Sequence, residues 1–102
     1  MELDVIPEGL LAASAQVAAL TGQLSAAGAA HAAACAAILP PGSDKPSLEV
    51  AAALHGHHAQ HQAMAMMGNE ELGRSGAGVA ESGVSYLTGD ALSAAALGAA
   101  AV

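Results

Sequence analysis

The sequence has no tryptophan, no phenylalanine and one tyrosine, Tyr86. Aromatic rings supply much of the apolar area in most protein interiors, so any core here is assembled from small pieces. Hydrophobic residues make up 54% of the 102 positions, yet alanine supplies much of that share. A buried Ala removes about one methyl from water, worth roughly 0.8 kcal/mol, whereas Leu or Ile contributes about 1.5–3 kcal/mol. Ordering each backbone residue costs about 1–2 kcal/mol. The isolated chain is therefore expected to be marginal or unfolded.

Basic residues are also scarce: Lys45 and Arg74 stand against nine acidic residues, for a formal net charge of −7. Phosphate binding needs clustered Lys and Arg, so nucleic acid is excluded as a partner and anionic lipid is disfavoured. The single cysteine, Cys35, has no intrachain disulfide partner and is expected to be a small packing residue. The acidic start Met1-Glu2-Leu3-Asp4 lacks the basic region of a secretory signal peptide. No stable membrane span is expected, because Ser14, Gln16, Thr21, Gln23, Ser25 and His31 interrupt the stretch from Leu10 to Leu39, and the tail from Ala91 is too short. Catalysis has no foothold either. There is no Gly-x-Ser-x-Gly elbow, the acids are scattered, and the Gly73-x-x-Gly76-x-Gly78 run lacks the preceding strand and following Lys of a phosphate loop. The chain reads as no enzyme, and no cofactor is expected.

What is present is helical rhythm. Pro7 suits a first helical turn, and Glu8 complements the helix dipole there. Leu10, Ala13, Val17, Leu20, Leu24, Ala27, His31, Ala34 and Ile38 then recur at spacings of three and four, predicting a helix over about 7–38 with one apolar stripe. Leu39-Pro40-Pro41 ends it, and a turn over 39–45 offers Asp44 or Ser47 as the next cap. A second helix is expected over about 46–85 through Leu48, Ala51, Leu54, His58, His61, Ala65 and Leu72. Beyond Met67, five glycines from Gly68 to Gly83 each cost a helix about 1 kcal/mol relative to Ala. That segment is expected to be weakly helical until a partner covers it, although Leu72, Val79 and Tyr86 keep a seven-residue rhythm. The fold class is all-α: an antiparallel two-helix hairpin over residues 1–90 with a short tail over 91–102. Two helices cannot close a core alone, so the missing layer should come from another chain.

Four histidines in the second helix, His55, His57, His58 and His61, stand three or four apart and share helix faces. Their pairs have the spacing to hold Zn²⁺ or Ni²⁺, but no Cys or carboxylate follows at matching spacing. A structural or pH-sensitive role at an interface is the reading preferred here, with no metal site assigned.

Pro7-Glu8 near the start, an Ala-rich first helix, the Leu39-Pro40-Pro41 turn and Tyr86-x-x-x-Asp90 together resemble the PE proteins of mycobacteria, over nearly the whole chain. Glu70-Glu71-Leu72-Gly73-Arg74-Ser75-Gly76 and Glu81-Ser82-Gly83-Val84-Ser85-Tyr86-Leu87 are similar to the short PE-only type encoded with the third ESX system, which is linked to iron acquisition. The resemblance implies a non-catalytic PE/PPE heterodimer with a four-helix bundle, whose PPE tip is gripped by an EspG-type chaperone in the cytosol. It implies export by type VII secretion machinery, with Tyr86 and Asp90 as the signal, to the medium or the cell envelope. On this reading Leu10, Val17, Leu20, Leu24, Ile38, Leu54 and Leu72 form the partner interface. The alternative is a component of a PE/PPE outer-membrane assembly that passes nutrients or siderophores.

Overall fold

A computed structural model describes residues 1 and 3–101. It contains two helices, α1 (Pro7–Ala36) and α2 (Lys45–Ala100), and no strand among the described residues. This all-helical architecture is consistent with a helical hairpin. The chain divides into two compact units, Met1–Ala19 with Leu72–Val102, and Leu20–Glu71.

At the start of α1 the carbonyl of Ile6 accepts the N–H groups of Gly9 and Leu10 at 3.0 and 3.3 Å. Pro7 forfeits nothing there, since a first-turn N–H has no partner within the helix. The other end tightens, with Ala37 N–H to Ala34 O at 3.2 Å and Ile38 N–H to Cys35 O at 3.1 Å. These are three-residue bonds of the 3₁₀ kind. The regular helix thus stops at Ala36, two residues before the expected 38, ahead of Pro40 and Pro41.

Asp44 caps α2. Its Oδ2 accepts the Ser47 N–H at 3.2 Å, and its Oδ1 accepts the Ser47 hydroxyl at 2.7 Å. The hydroxyl bond first, and the N–H bond second, hold the Asp44 carboxyl below its usual 3.8. One turn on, Lys45 meets Glu49 at 3.6 Å across an exposed i,i+4 pair, an arrangement that adds little to stability.

α2 runs unbroken through the glycines after Met67 to Ala100 rather than ending near 85. No glycine among the described residues has a positive φ, and those of α2 keep helical geometry. Two of them serve close approach. In the first unit, a Cβ built on Gly76 would lie 2.9 Å from Val17 Cγ1 and 3.2 Å from Val17 Cβ. One built on Gly83 would lie 3.2 Å from the Pro7 carbonyl and 3.3 Å from Leu11 Cγ. Both glycines are buried, and the helices touch backbone to side chain over them.

In the second unit the same seven-residue spacing carries polar side chains. Asn69 Nδ2 donates to the Thr21 carbonyl at 3.2 Å, Gln62 Nε2 donates to the Gly28 carbonyl at 3.3 Å, and His55 Nε2 meets the Ile38 carbonyl at 3.2 Å. Positions 55, 62, 69, 76 and 83 thus face α1, the first three with polar side chains and the last two as glycine. The contact pairs fix the register: Asn69 and Gln62 lie over Thr21 and Gly28, while Gly83 and Gly76 lie over Pro7 and Ser14.

This register moves the contact face of α1 from the stripe read in the sequence. Leu10 and Val17 are half-buried, but farther along the inward positions are Thr21, Gly28, Ala32 and Cys35, each one residue beyond the corresponding stripe member. Leu20, Leu24, Ala27, His31, Ala34 and Ile38 are exposed. Polar and small residues let the backbones come close enough for amide side chains to bridge them, which a Leu seam would prevent.

Candidate functional site

The packing leaves almost nothing covered. Among the described residues Ala51, 7% exposed, is the one buried apolar residue, and no large side chain is fully buried. The bulky residues lie outside: Leu20 is 50% exposed, Leu54 48% and Met64 73%, with Leu24, Met66 and Met67 between those limits. In the second unit, Leu24, Gly28, Gln62, Ala65, Met66 and Asn69 line a groove of about 460 Å³. Thioether chains such as Met66 adapt to irregular surfaces. Of the expected interface residues, Leu10, Val17 and Leu72 are half-buried within the first unit. Leu20, Leu24, Ile38 and Leu54 are exposed.

Tyr86 and Asp90 both lie on α2, four residues and about one turn apart. Residues 84–101 are all exposed, so this stretch presents its phenol and carboxylate without cover from α1. On the same outer face Ser82 donates its hydroxyl to the Gly78 carbonyl at 2.9 Å. Pro7 and Glu8 occupy the first turn of α1, where the Pro7 carbonyl borders Gly83.

The histidines are not gathered as their spacing suggests. His55 is engaged with the Ile38 carbonyl, and His57 is exposed. His58 turns toward α1, where its ring meets that of His31 edge-on with centroids 5.2 Å apart. His61 approaches the same ring at 6.0 Å. Cys35 Sγ lies 3.6 Å from His31 Nε2. Sequence reasoning followed spacing within one helix and so missed His31 and Cys35, which only the hairpin register brings to His58. The signal was available in part: His31 and Cys35 are themselves four apart, on one face of α1.

By length and composition α1 also qualifies to cross a membrane, with 30 residues and a mean hydropathy of 1.2 in its most apolar stretch. Core helices of soluble bundles meet the same measure.

Comparison with known proteins gives a consistent result. The PE family model matches residues 3–101. The chain is 56% identical over 95 residues to the PE family immunomodulator PE15 of Mycobacterium tuberculosis, covering 93% of each chain. It is 51% identical over 98 residues to the PE family immunomodulator PE5 of the same species, covering 96% of each. No solved structure matches. Since the family pattern runs along nearly the whole length, and more than half the aligned residues are shared with short PE relatives, the chain belongs to the PE family.

Proposed function

We propose that this chain is a non-catalytic interaction module that pairs with a PPE protein in a four-helix bundle. The observation that carries the reading is the absence of any fully buried large side chain among the described residues, set against exposed Leu20, Leu24, Leu54, Met64, Met66 and Met67. Covering those side chains would remove apolar surface from water at about 25 cal/mol per Å², a stabilisation the two helices leave unused. PE family membership supports a PPE partner in general. The chaperone of the EspG type would then act on the PPE tip before export.

Export by type VII secretion through Tyr86 and Asp90 is the second part of the proposal, supported by their exposure on one face of α2. Delivery to the medium or cell envelope follows from it, with a role in iron acquisition or, as the relatives' names suggest, in immunomodulation. Coexpression with a PPE protein followed by size-exclusion chromatography tests the pairing: a soluble one-to-one complex supports it, and two separately eluting chains refute it. Replacing Tyr86 by Ala should leave the complex intact and abolish secretion; unchanged export removes the signal assignment.

The length and hydropathy of α1 favour one further reading. In it, the PE/PPE pair is a transport component of the outer membrane that passes nutrients or siderophores. Conductance of the purified pair in planar bilayers would select that reading over a soluble module.

A further inference from the structure

We propose that His31, Cys35 and His58 form a Zn²⁺ site that clamps α1 to α2 within the unit spanning Leu20–Glu71. One ligand atom from each lies within 4.8 Å of the other two, the sole such group of three His, Cys, Asp or Glu side chains among the described residues. Zinc binds thiolate at about 2.3 Å and imidazole nitrogen at about 2.0–2.1 Å, so a tetrahedral centre requires sulfur and nitrogen about 3.6 Å apart. Cys35 Sγ and His31 Nε2 are separated by 3.6 Å. The two edges to His58, each within 4.8 Å, close by side-chain rotation at the half-buried His58.

A second observation points the same way. The Nδ1 atom of His58 is buried with no hydrogen-bond partner among the described residues, a condition that ordinarily costs stability. A cation bound through Nδ1 turns this unsatisfied atom into a ligand. Water takes the fourth position, as in three-ligand zinc centres. Mixed thiolate and imidazole donors in a tetrahedral set select Zn²⁺ over Mg²⁺ or Ca²⁺, which take oxygen ligands. On binding, the Cys35 thiol gives its proton to buffer as the sulfur–zinc bond forms, and both histidines bind as neutral imidazoles.

The test is an anaerobic titration of the reduced full-length chain with Co²⁺, then Zn²⁺, in an excluded osmolyte at a concentration where circular dichroism shows both helices formed. Expected are one equivalent of Co²⁺ bound, a thiolate-to-cobalt charge-transfer band, visible bands of tetrahedral intensity, and stoichiometric displacement by Zn²⁺. Cys35→Ser should abolish the charge-transfer band, and His31→Gln or His58→Gln should weaken Zn²⁺ binding by about tenfold or more. His57→Gln, outside the cluster, should change neither. Far-ultraviolet circular dichroism of each metal-free variant separates lost ligation from lost helix. A wild-type titration without the thiolate band overturns the site whatever the variants do, as does His57→Gln matching His58→Gln.

Discussion

Replacing Gly76 by Ala sets two effects of opposite sign against each other, and the geometry decides between them. In an open helix position the change gains about 1 kcal/mol, because Ala is the better helix former. At Gly76 the new methyl would sit 2.9 Å from Val17 Cγ1 and 3.2 Å from its Cβ, against an ordinary carbon contact of about 3.5–4.0 Å. Val17 is β-branched and held to one main rotamer in a helix, so it cannot swing aside. The helices must separate by most of an ångström or the rotamer must distort. Overpacking of this sort costs about 1–3 kcal/mol, so Gly76→Ala should be neutral to destabilising by about 2 kcal/mol. Gly78, two residues away, has nothing within 4 Å of its built Cβ, and Gly78→Ala should stabilise by up to about 1 kcal/mol. Thermal melts of the purified chain by circular dichroism compare the two, with an excluded osmolyte added if the chain is only partly folded. Val17→Ala placed on Gly76→Ala should recover part of the loss through removal of the clash. If Gly76→Ala raises the melting temperature as much as Gly78→Ala, close approach at Gly76 is wrong.

Three further expectations concern other parts of the chain. Asn69 donates to the Thr21 carbonyl while its buried Oδ1 has no partner among the described residues; Asn69→Leu removes both features and should change stability by less than about 1 kcal/mol, whereas Asn69→Ala should cost about 1 kcal/mol or more, as chemical denaturation will read. Because the Asp44 carboxyl is held below its usual 3.8, its help to α2 is complete above that pH and disappears as pH falls through the lower value of the folded chain. Helicity measured against pH should therefore show the advantage of wild type over Asp44→Ala shrinking below pH 3.8, and a constant advantage would contradict the cap. Leu24→Asp, on the exposed groove wall, should abolish the PPE complex in pull-down while leaving helicity unchanged.

The all-helical fold was readable because Pro7, the three-and-four recurrence and the Pro40-Pro41 stop are local signals. Helix register was not, since alanines on every face make neighbouring alignments similar in apolar area. Asn69 and Gln62 decide it through hydrogen bonds to main-chain carbonyls, which hydropathy does not weigh. Reading Leu20 and Leu24 as one stripe with Leu10 and Val17 joined two faces that the structure separates. The length of α2 was not readable for a related reason: helix propensity assigns a cost to Gly76 and Gly83, whereas their close contact with α1 depends on the partner helix. Tyr86 and Asp90 were visible as a spaced pair, and their exposure needed the fold. The His31, Cys35 and His58 cluster required two helices to be laid side by side.

The acceptors at Thr21 and Gly28 belong to the peptide main chain, which every amino acid carries. Altering those side chains leaves the acceptor in place, while altering Asn69 or Gln62 removes the donor. Within this unit the two amide tethers are therefore specified from α2 alone, and substitutions along the outward face of α1 can suit a new binding companion without cutting either tether.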